Sequence, residues 1–429
     1  MIEPSVRALA VLYLSIVLVH SVLQERNRRR HAAAPRQRPG GPHWRSIDVV
    51  IPCYNEEPSL LAACCASLEA QDYPRELLHV HLVDDGSWNR EALRGVYQRY
   101  EGRAGWTVQL PASNRGKRGA QDIAVRLGSG DLLVTIDSDT VLAPDGIRRL
   151  VGAFADEGVA AVTGHVRVIN REQNQLTRLI DERYRLLFEH ERAAQSQVGA
   201  VLCCSGAFSA YRRAALDKVW TDYQSQMFMG RRCVTGDDLH LTNLLLANGY
   251  RSKYEPTARA DTTVPSTLRG YVRQQLRWNQ SFYRELSLTL RVLPRQRPYI
   301  ALDVTARLLQ PLLLAAGLTL AGMQAVGGLG EPLRVLTAVG TVAIMCLSSV
   351  GSLTFKATAS CRGRFMLLYG LIYVGLLIPT RLWALTTLYQ NRWSTRHLPA
   401  RRLARDQRRS RLTIRLRTCL AAITLPLRS

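Results

Sequence analysis

The chain has 429 residues, with 57 lysines and arginines against 34 acidic residues, a formal charge of +23 at pH 7, 47% hydrophobic residues and 7% aromatic ones. These proportions exclude a disordered tail protein and a small disulfide scaffold, and the length suits two or three units around a large core. The charge sits at the edges: residues 24–47 hold seven Arg and one Glu, and residues 392–429 hold eleven Arg and one Asp. Both stretches adjoin apolar runs, as the cytoplasmic flanks of membrane spans do, and neither shows the aromatic interleaving of a single-strand binder. The partner implied is membrane lipid and not nucleic acid. Nine cysteines without CxxC spacing, two pairs of them adjacent (Cys64-Cys65 and Cys203-Cys204), read as reduced thiols in the cytosol.

The first apolar run, Ala8 to Leu23, is followed by Arg26 and Arg28-Arg29-Arg30. A secretory signal carries its charge before the apolar run, and Ala32-Ala33-Ala34 lies beyond the arginines, so residues 1–24 read as an uncleaved anchor and 25–46 as a basic linker. Residues 47–297 then alternate short β-branched runs with amphipathic stretches. Ile47–Ile51, Leu78–Val83 and Leu132–Ile136 predict buried strands with helices between them, an α/β domain with a mostly parallel sheet. Such sheets bind ligands at the carboxyl ends of their strands, where Asp84-Asp85 and Asp137 fall. Residues 298–391 change to apolar runs near 308–328, 333–353 and 366–389. A third complete crossing would carry the basic tail, 392–429, outside, and the third run contains Pro379 and Arg381. It therefore reads as a broken, re-entrant or interfacial segment in a multi-pass protein of the cell membrane, with the α/β domain in the cytoplasm.

Asp137-Ser138-Asp139 after a strand suits a hard cation, Mg²⁺ or Mn²⁺, bridging carboxylate and diphosphate oxygens; a solvated turn is the plainer alternative. Asn114-Arg115-Gly116-Lys117-Arg118 offers cations beside a glycine for a phosphate, or is a solvated basic loop. Gly236-Asp237-Asp238 precedes the helical stretch Leu239 to Ala247, where the aspartates cap the helix or Asp238 serves as a general base. In a helix Gln274, Arg277 and Trp278 share one face, giving an amide, a cation and a sugar-stacking ring; an interfacial Trp beside a snorkelling Arg is the other reading.

Pro52-x-Tyr54-Asn55-Glu56, Val83-Asp84-Asp85-Gly86-Ser87, Gly116-Lys117-Arg118, Asp137-Ser138-Asp139, Cys204-Ser205-Gly206, Gly236-Asp237-Asp238 and Gln274-x-x-Arg277-Trp278 occur in the order of the processive family 2 glycosyltransferases. Over residues 46–396 the chain most resembles bacterial hyaluronan synthases, with the nodulation chitooligosaccharide synthases close behind. Thr163-Gly164-His165, the stretch from Glu191 to Ser196 and the residues after Trp278 look like the hyaluronan branch. A single N-terminal span resembles the nodulation enzymes. Ala207, Gln280 and Trp393-Ser394-Thr395-Arg396 depart from the hyaluronan pattern.

The resemblance implies a GT-A domain on the cytoplasmic face that polymerises UDP-sugars with inversion. Tyr54 and Glu56 would hold the uracil, Asp84 and Asp85 the nucleoside, and Asp137 and Asp139 the metal-diphosphate. Lys117, Gln274, Arg277 and Trp278 would close over the diphosphate and the acceptor end. Cys204, Ser205 and Gly206 would support the acceptor sugar, and Asp238, with Asp237 beside it, would take the acceptor proton. The expected activity is that of a hyaluronan synthase using UDP-N-acetylglucosamine and UDP-glucuronate; the alternative is a chitooligosaccharide or chitin synthase using UDP-N-acetylglucosamine alone. Gln274-x-x-Arg277-Trp278 disfavours a nonprocessive transferase acting on a lipid phosphate, and Asp139 and Asp238 disfavour a membrane-anchored binding protein.

Overall fold

The computed structural model describes residues 2–34, 44–327, 335–337, 339–341, 343–348 and 369–390. Residues 35–43 of the basic linker, the Trp393–Arg396 motif and the basic tail lie outside these residues. So does much of the apolar run 333–353.

The β-branched runs pair as their composition requires. β1 (Ile47–Cys53) lies between β2 (Leu78–Asp84) and β4 (Leu132–Ile136), parallel to both, and β3 (Trp106–Gln109) extends the sheet beyond β2. On the other side β7 (Phe208–Arg212) runs antiparallel to β4 and to β6 (Val159–Val168). β10 (Arg251–Thr262) is parallel to β6, and the short β5 (Val141–Leu142) closes that edge. The order is β3-β2-β1-β4-β7-β6-β10-β5, a mostly parallel α/β sheet. Val49, Val50, Ile51 and Leu132 to Val134 are wholly buried, because helices α2 (Pro58–Glu69), α3 (Arg90–Tyr100), α4 (Lys117–Leu127) and α8 (Arg213–Gln224) cover the faces; α5 (Gly146–Gly152), α6 (Gln175–Leu186) and α7 (Ala193–Gln197) lie between α4 and α8 in the chain. At about 1.5–3 kcal/mol for each large aliphatic side chain buried, this core outweighs any surface ion pair.

One buried charge sits within the sheet. Asp48 on β1 accepts from His81 Nε2 on β2 (2.9 Å), from the Gly130 N–H (2.7 Å) and from Arg213 Nη2 (2.6 Å). Removing the carboxylate strands a guanidinium with no counter-charge. Asp48→Ala is therefore expected to cost about 3–5 kcal/mol, seen as a drop in melting temperature of about 10 °C.

Helix α1 (Ile2–Ala33) continues through the arginines where the sequence suggests a linker. The reason is local: Glu25 pairs with Arg28 (2.6 Å) and Arg29 (2.7 Å), one helical turn on. The stretches Arg7–Ala33, Pro298–Gly327 and Tyr369–Thr386 are each long and apolar enough to cross a membrane. Tyr13 and Val17 of α1 pack with Leu314 of α11 (Pro298–Gly327) and with Ile378. Beside this apolar contact runs an ionic chain. His20 Nε2 meets Asp303 Oδ1 (2.8 Å), Asp303 Oδ2 accepts from Gln195 (2.8 Å) and Arg307 (2.9 Å), and Arg307 reaches Glu191 (2.9 Å), which also holds Arg183 (2.5 Å).

The Tyr369–Thr386 helix contains a π turn at Tyr373–Leu377, followed by α12 (Ile378–Thr386) with Pro379 in its first turn. It packs along α10 (Leu268–Val292): Tyr369 clusters with Tyr271, Gln280 donates to the Thr387 carbonyl (3.1 Å), and Arg284 donates to the carbonyls of Leu388 (3.1 Å) and Gln390 (2.6 Å). The seven described cysteines are free thiols.

Candidate active site

The acidic turns meet where the sheet's strands end. At the end of β1, Asn55 adopts φ +52° and the partly exposed Tyr54 borders the turn. Asn55 N–H donates to Ser87 Oγ (2.8 Å), and its own Oδ1 accepts from Trp88 N–H (2.9 Å), so the β1 and β2 turns are tied together. Gly86 has φ +73°, and a Cβ there would lie 2.6 Å from the Asn114 nitrogen, which only glycine avoids. Asp84 faces inward. It is fully buried and accepts from Ser87 N–H (2.7 Å), Tyr97 Oη (2.7 Å) and Arg90, so it builds the turn rather than facing the cleft. Asp85 accepts from the Arg115 N–H (2.7 Å), and burial raises its pKa. Glu56 is likewise engaged, accepting from Ser138 Oγ (2.6 Å) between the two Asp of the β4 turn.

Lys117 and Asp237 form the centre. Lys117, the first residue of α4, donates from Nζ to Asp137 Oδ1 (2.7 Å) and lies 3.2 Å from Asp237 Oδ2. It is a strut between two acidic turns, whereas the sequence suggests a loop cation. Burial pulls its pKa down, but Asp137 and Asp237 outweigh this and hold it above the ordinary lysine value. Its neighbour Arg118 turns away, donating to the Tyr223 carbonyl (2.8 Å) over the Tyr223 ring.

Helix α9 (Asp237–Ala247) starts two residues earlier than its apolar pattern suggests. Gly236 occupies the left-handed cap at φ +80°, so the aspartates are the first helical residues and the N-cap itself has no side chain. Asp238 Oδ1 accepts from Leu239 N–H (2.8 Å), and Oδ2 from Gly206 N–H (3.3 Å). Burial, and next the neighbouring Asp237, raise the Asp238 pKa; Asp237, despite burial, is held low by Lys117 and then Arg118. One carboxylate is thereby kept ionised while the other is made basic.

The segment Cys204-Ser205-Gly206 acts through its backbone. The Cys204 thiol is buried, while its N–H donates to Thr242 Oγ1 (3.0 Å) and that of Ser205 to Thr163 Oγ1 (3.2 Å). A Cβ on Gly206 would lie 2.6 Å from Lys117 Nζ. Gly206→Ala is expected to displace that ammonium and to lower product formation tenfold to a hundredfold, with little change in melting temperature, measured by radiolabelled sugar incorporation beside a thermal melt.

Gln274, Arg277 and Trp278 all lie on α10, and Gln274 Oε1 is buried without a hydrogen-bond partner among the described residues. Trp278 remains 38% exposed, its ring 6.4 Å from that of Tyr184. Tyr184 is absent from the motifs, yet burial, then the charges of Asp139 and Asp137, raise its pKa. Asp139 accepts from Thr263 Oγ1 (2.9 Å) and Thr262 Oγ1 (3.4 Å). These threonines were also missed; the available signal was their place at the end of a long strand. The Asp137-Ser138-Asp139 turn offers only hard oxygen donors, with Asp137 partly exposed, and no group of three metal-ligating side chains occurs among the described residues. That suits a small cation completed by substrate phosphate and water rather than an all-protein cage.

The family described as glycosyltransferase like family 2 matches residues 43–281. A protein named N-acetylglucosaminyltransferase from Mesorhizobium japonicum is 42% identical over 83% of each chain. One of the same name from Sinorhizobium fredii is 41% identical over 83% of this chain and 85% of its own. The solved mannosyltransferase of Pyrobaculum calidifontis, in complex with GDP-Man and Mn²⁺, superimposes with a TM-score of 0.58 at 20% identity, covering 90% of this chain and 99% of that one. This likeness speaks for the GT-A fold alone.

Proposed function

Since the chain belongs to glycosyltransferase family 2, and so uses a nucleotide-sugar donor, we propose that it is a membrane-held, processive, inverting β-N-acetylglucosaminyltransferase that builds a chitooligosaccharide from UDP-N-acetylglucosamine. The observation that carries the chemistry is the Asp237-Asp238 pair, whose two carboxylates are driven to opposite proton affinities. Asp238 takes the proton from the acceptor hydroxyl as it attacks the anomeric carbon, and its bonds to Leu239 and Gly206 fix its orientation. Lys117 keeps Asp237 ionised and aligned. Arg277 neutralises charge on the departing UDP, Trp278 stacks on the acceptor sugar, and Gln274 Oε1 receives a sugar hydroxyl. Tyr54, Glu56 and Asp85 form the nucleoside end, Glu56 through the turn it shares with Ser138. Asp139 and Asp137 would hold Mg²⁺ or Mn²⁺, which would neutralise the diphosphate. The apolar helices seat the enzyme in the membrane beside its growing polysaccharide.

The relatives' shared name specifies N-acetylglucosamine, which favours the single-donor reading over the hyaluronan synthase expected from sequence. Purified protein in lipid, with Mg²⁺ or Mn²⁺, receives UDP-N-acetylglucosamine alone and then with UDP-glucuronate. A chitinase-sensitive product from the single donor is the expected result. A hyaluronidase-sensitive product that needs both donors would move the chain to the hyaluronan branch.

A further inference from the structure

Between α8 and α9 the chain makes a small hairpin: β8 (Met227–Phe228) pairs antiparallel with β9 (Arg231–Arg232), joined by Met229 and Gly230. Both joining residues have positive φ, +49° and +74°. This two-residue turn ordinarily takes Asn-Gly or Asp-Gly, because a side chain with a Cβ is strained at its first position. Here that position is a methionine, and Met229 is 76% exposed, with Met227 57% exposed. In water, neither the strain nor the bare thioether has an explanation in packing.

The surroundings indicate what the tip meets. Phe228, Met229 and Arg231 line a cleft with Arg284, Leu388 and Tyr389. Leu388 and Tyr389 lie just past the apolar Tyr369–Thr386 helix, after Thr387; the helix presents Leu371, Trp383 and Leu385 outward, and Arg284 ties its end to α10. The hairpin tip therefore continues an apolar surface that already ends in an exposed tyrosine. Its strand pairing sets Met227 against Arg232 and Phe228 against Arg231, and both arginines are exposed. Apolar side chains each paired with a guanidinium, next to an exposed Tyr, form the composition of the zone between acyl chains and anionic headgroups.

We infer that the hairpin Met227–Arg232 is a lipid-binding finger, with Met227, Phe228 and Met229 entering the acyl boundary and Arg231 and Arg232 holding anionic headgroups; this rests on the membrane seating proposed above. The test places a photoactivatable benzophenone amino acid at Met229, or at Trp383 as a reference in the apolar helix. The full-length protein is illuminated in nanodiscs of equimolar phosphatidylglycerol and phosphatidylcholine, and adducts are identified by mass spectrometry. Lipid adducts at both positions are expected, with phosphatidylglycerol enriched at 229. That enrichment should fall about fivefold for each of Arg231→Ala and Arg232→Ala. A lipid adduct at 383 without one at 229, or an adduct at 229 to protein or glycan, overturns the finger and leaves the membrane seating intact. Absence of lipid adducts at both positions overturns both. Equal yields from the two lipids, unmoved by the arginine variants, overturn the anionic headgroup assignment.

Discussion

Asp238→Asn is expected to lower polymer synthesis by a factor of about 10² to 10⁴, the range that a positioned general base supplies, while donor affinity changes less than about twofold. Asparagine preserves the volume but keeps a single acceptor oxygen, so it can accept from Leu239 or Gly206 and not from both; a thermal melt beside the assay separates that lost bond from the loss of proton transfer. The wild-type pH profile carries the same information. A base functions when deprotonated, so kcat/KM rises with pH through the Asp238 pKa, and burial and Asp237 raise that pKa. The acid limb should thus lie above the ordinary aspartate value of about 3.9. Asp237→Asn removes the like charge and should move the limb to lower pH. A limb that stays in place would assign the proton transfer elsewhere.

Lys117→Met should be comparably severe for a different reason. The ammonium is the shared partner of Asp137 and Asp237, and methionine retains its length without its charge. The buried Asp237 and the partly exposed Asp137 then lose their shared cation, a penalty of about 3–5 kcal/mol, or roughly 10² to 10⁴ in rate if it falls on the aligned state. Because Lys117 also lowers the Asp238 pKa, its loss should shift the acid limb of any residual activity to higher pH. Donor affinity should fall as well, since Asp137 is displaced, and calorimetry with UDP-N-acetylglucosamine separates this variant from Asp238→Asn. Unchanged donor affinity with an unmoved limb would reduce Lys117 to a packing residue.

The parallel half of the sheet was readable because its strands are uninterrupted β-branched runs flanked by helix patterns; Leu132–Ile136 is found with the bounds its composition suggests. The antiparallel strand β7 was not, because Phe208-Ser209-Ala210-Tyr211-Arg212 carries two polar residues whose burial is set by neighbours distant in sequence. The same division holds at the site. Motif spacing selected Asp137, Asp139, Asp238, Arg277 and Trp278, but orientation is tertiary. Asp84 turned inward because Tyr97 and Arg90 reach it from the next helix, and Cys204 contributes its amide and not its thiol. Tyr184 and Thr263 belong to no short motif and enter only when the chain folds back.

The contact between His20 and Asp303 has a consequence for how the protein is made. Its two ends are 283 residues apart. At about 5–20 residues per second, a ribosome separates them by roughly 15–60 s, during which the imidazole of α1 waits without its carboxylate. On the membrane seating proposed above, the first helix gains this carboxylate only after the whole catalytic domain has been synthesised and α11 arrives. A fragment ending before Asp303 should be a better substrate for membrane quality-control proteases than the completed chain.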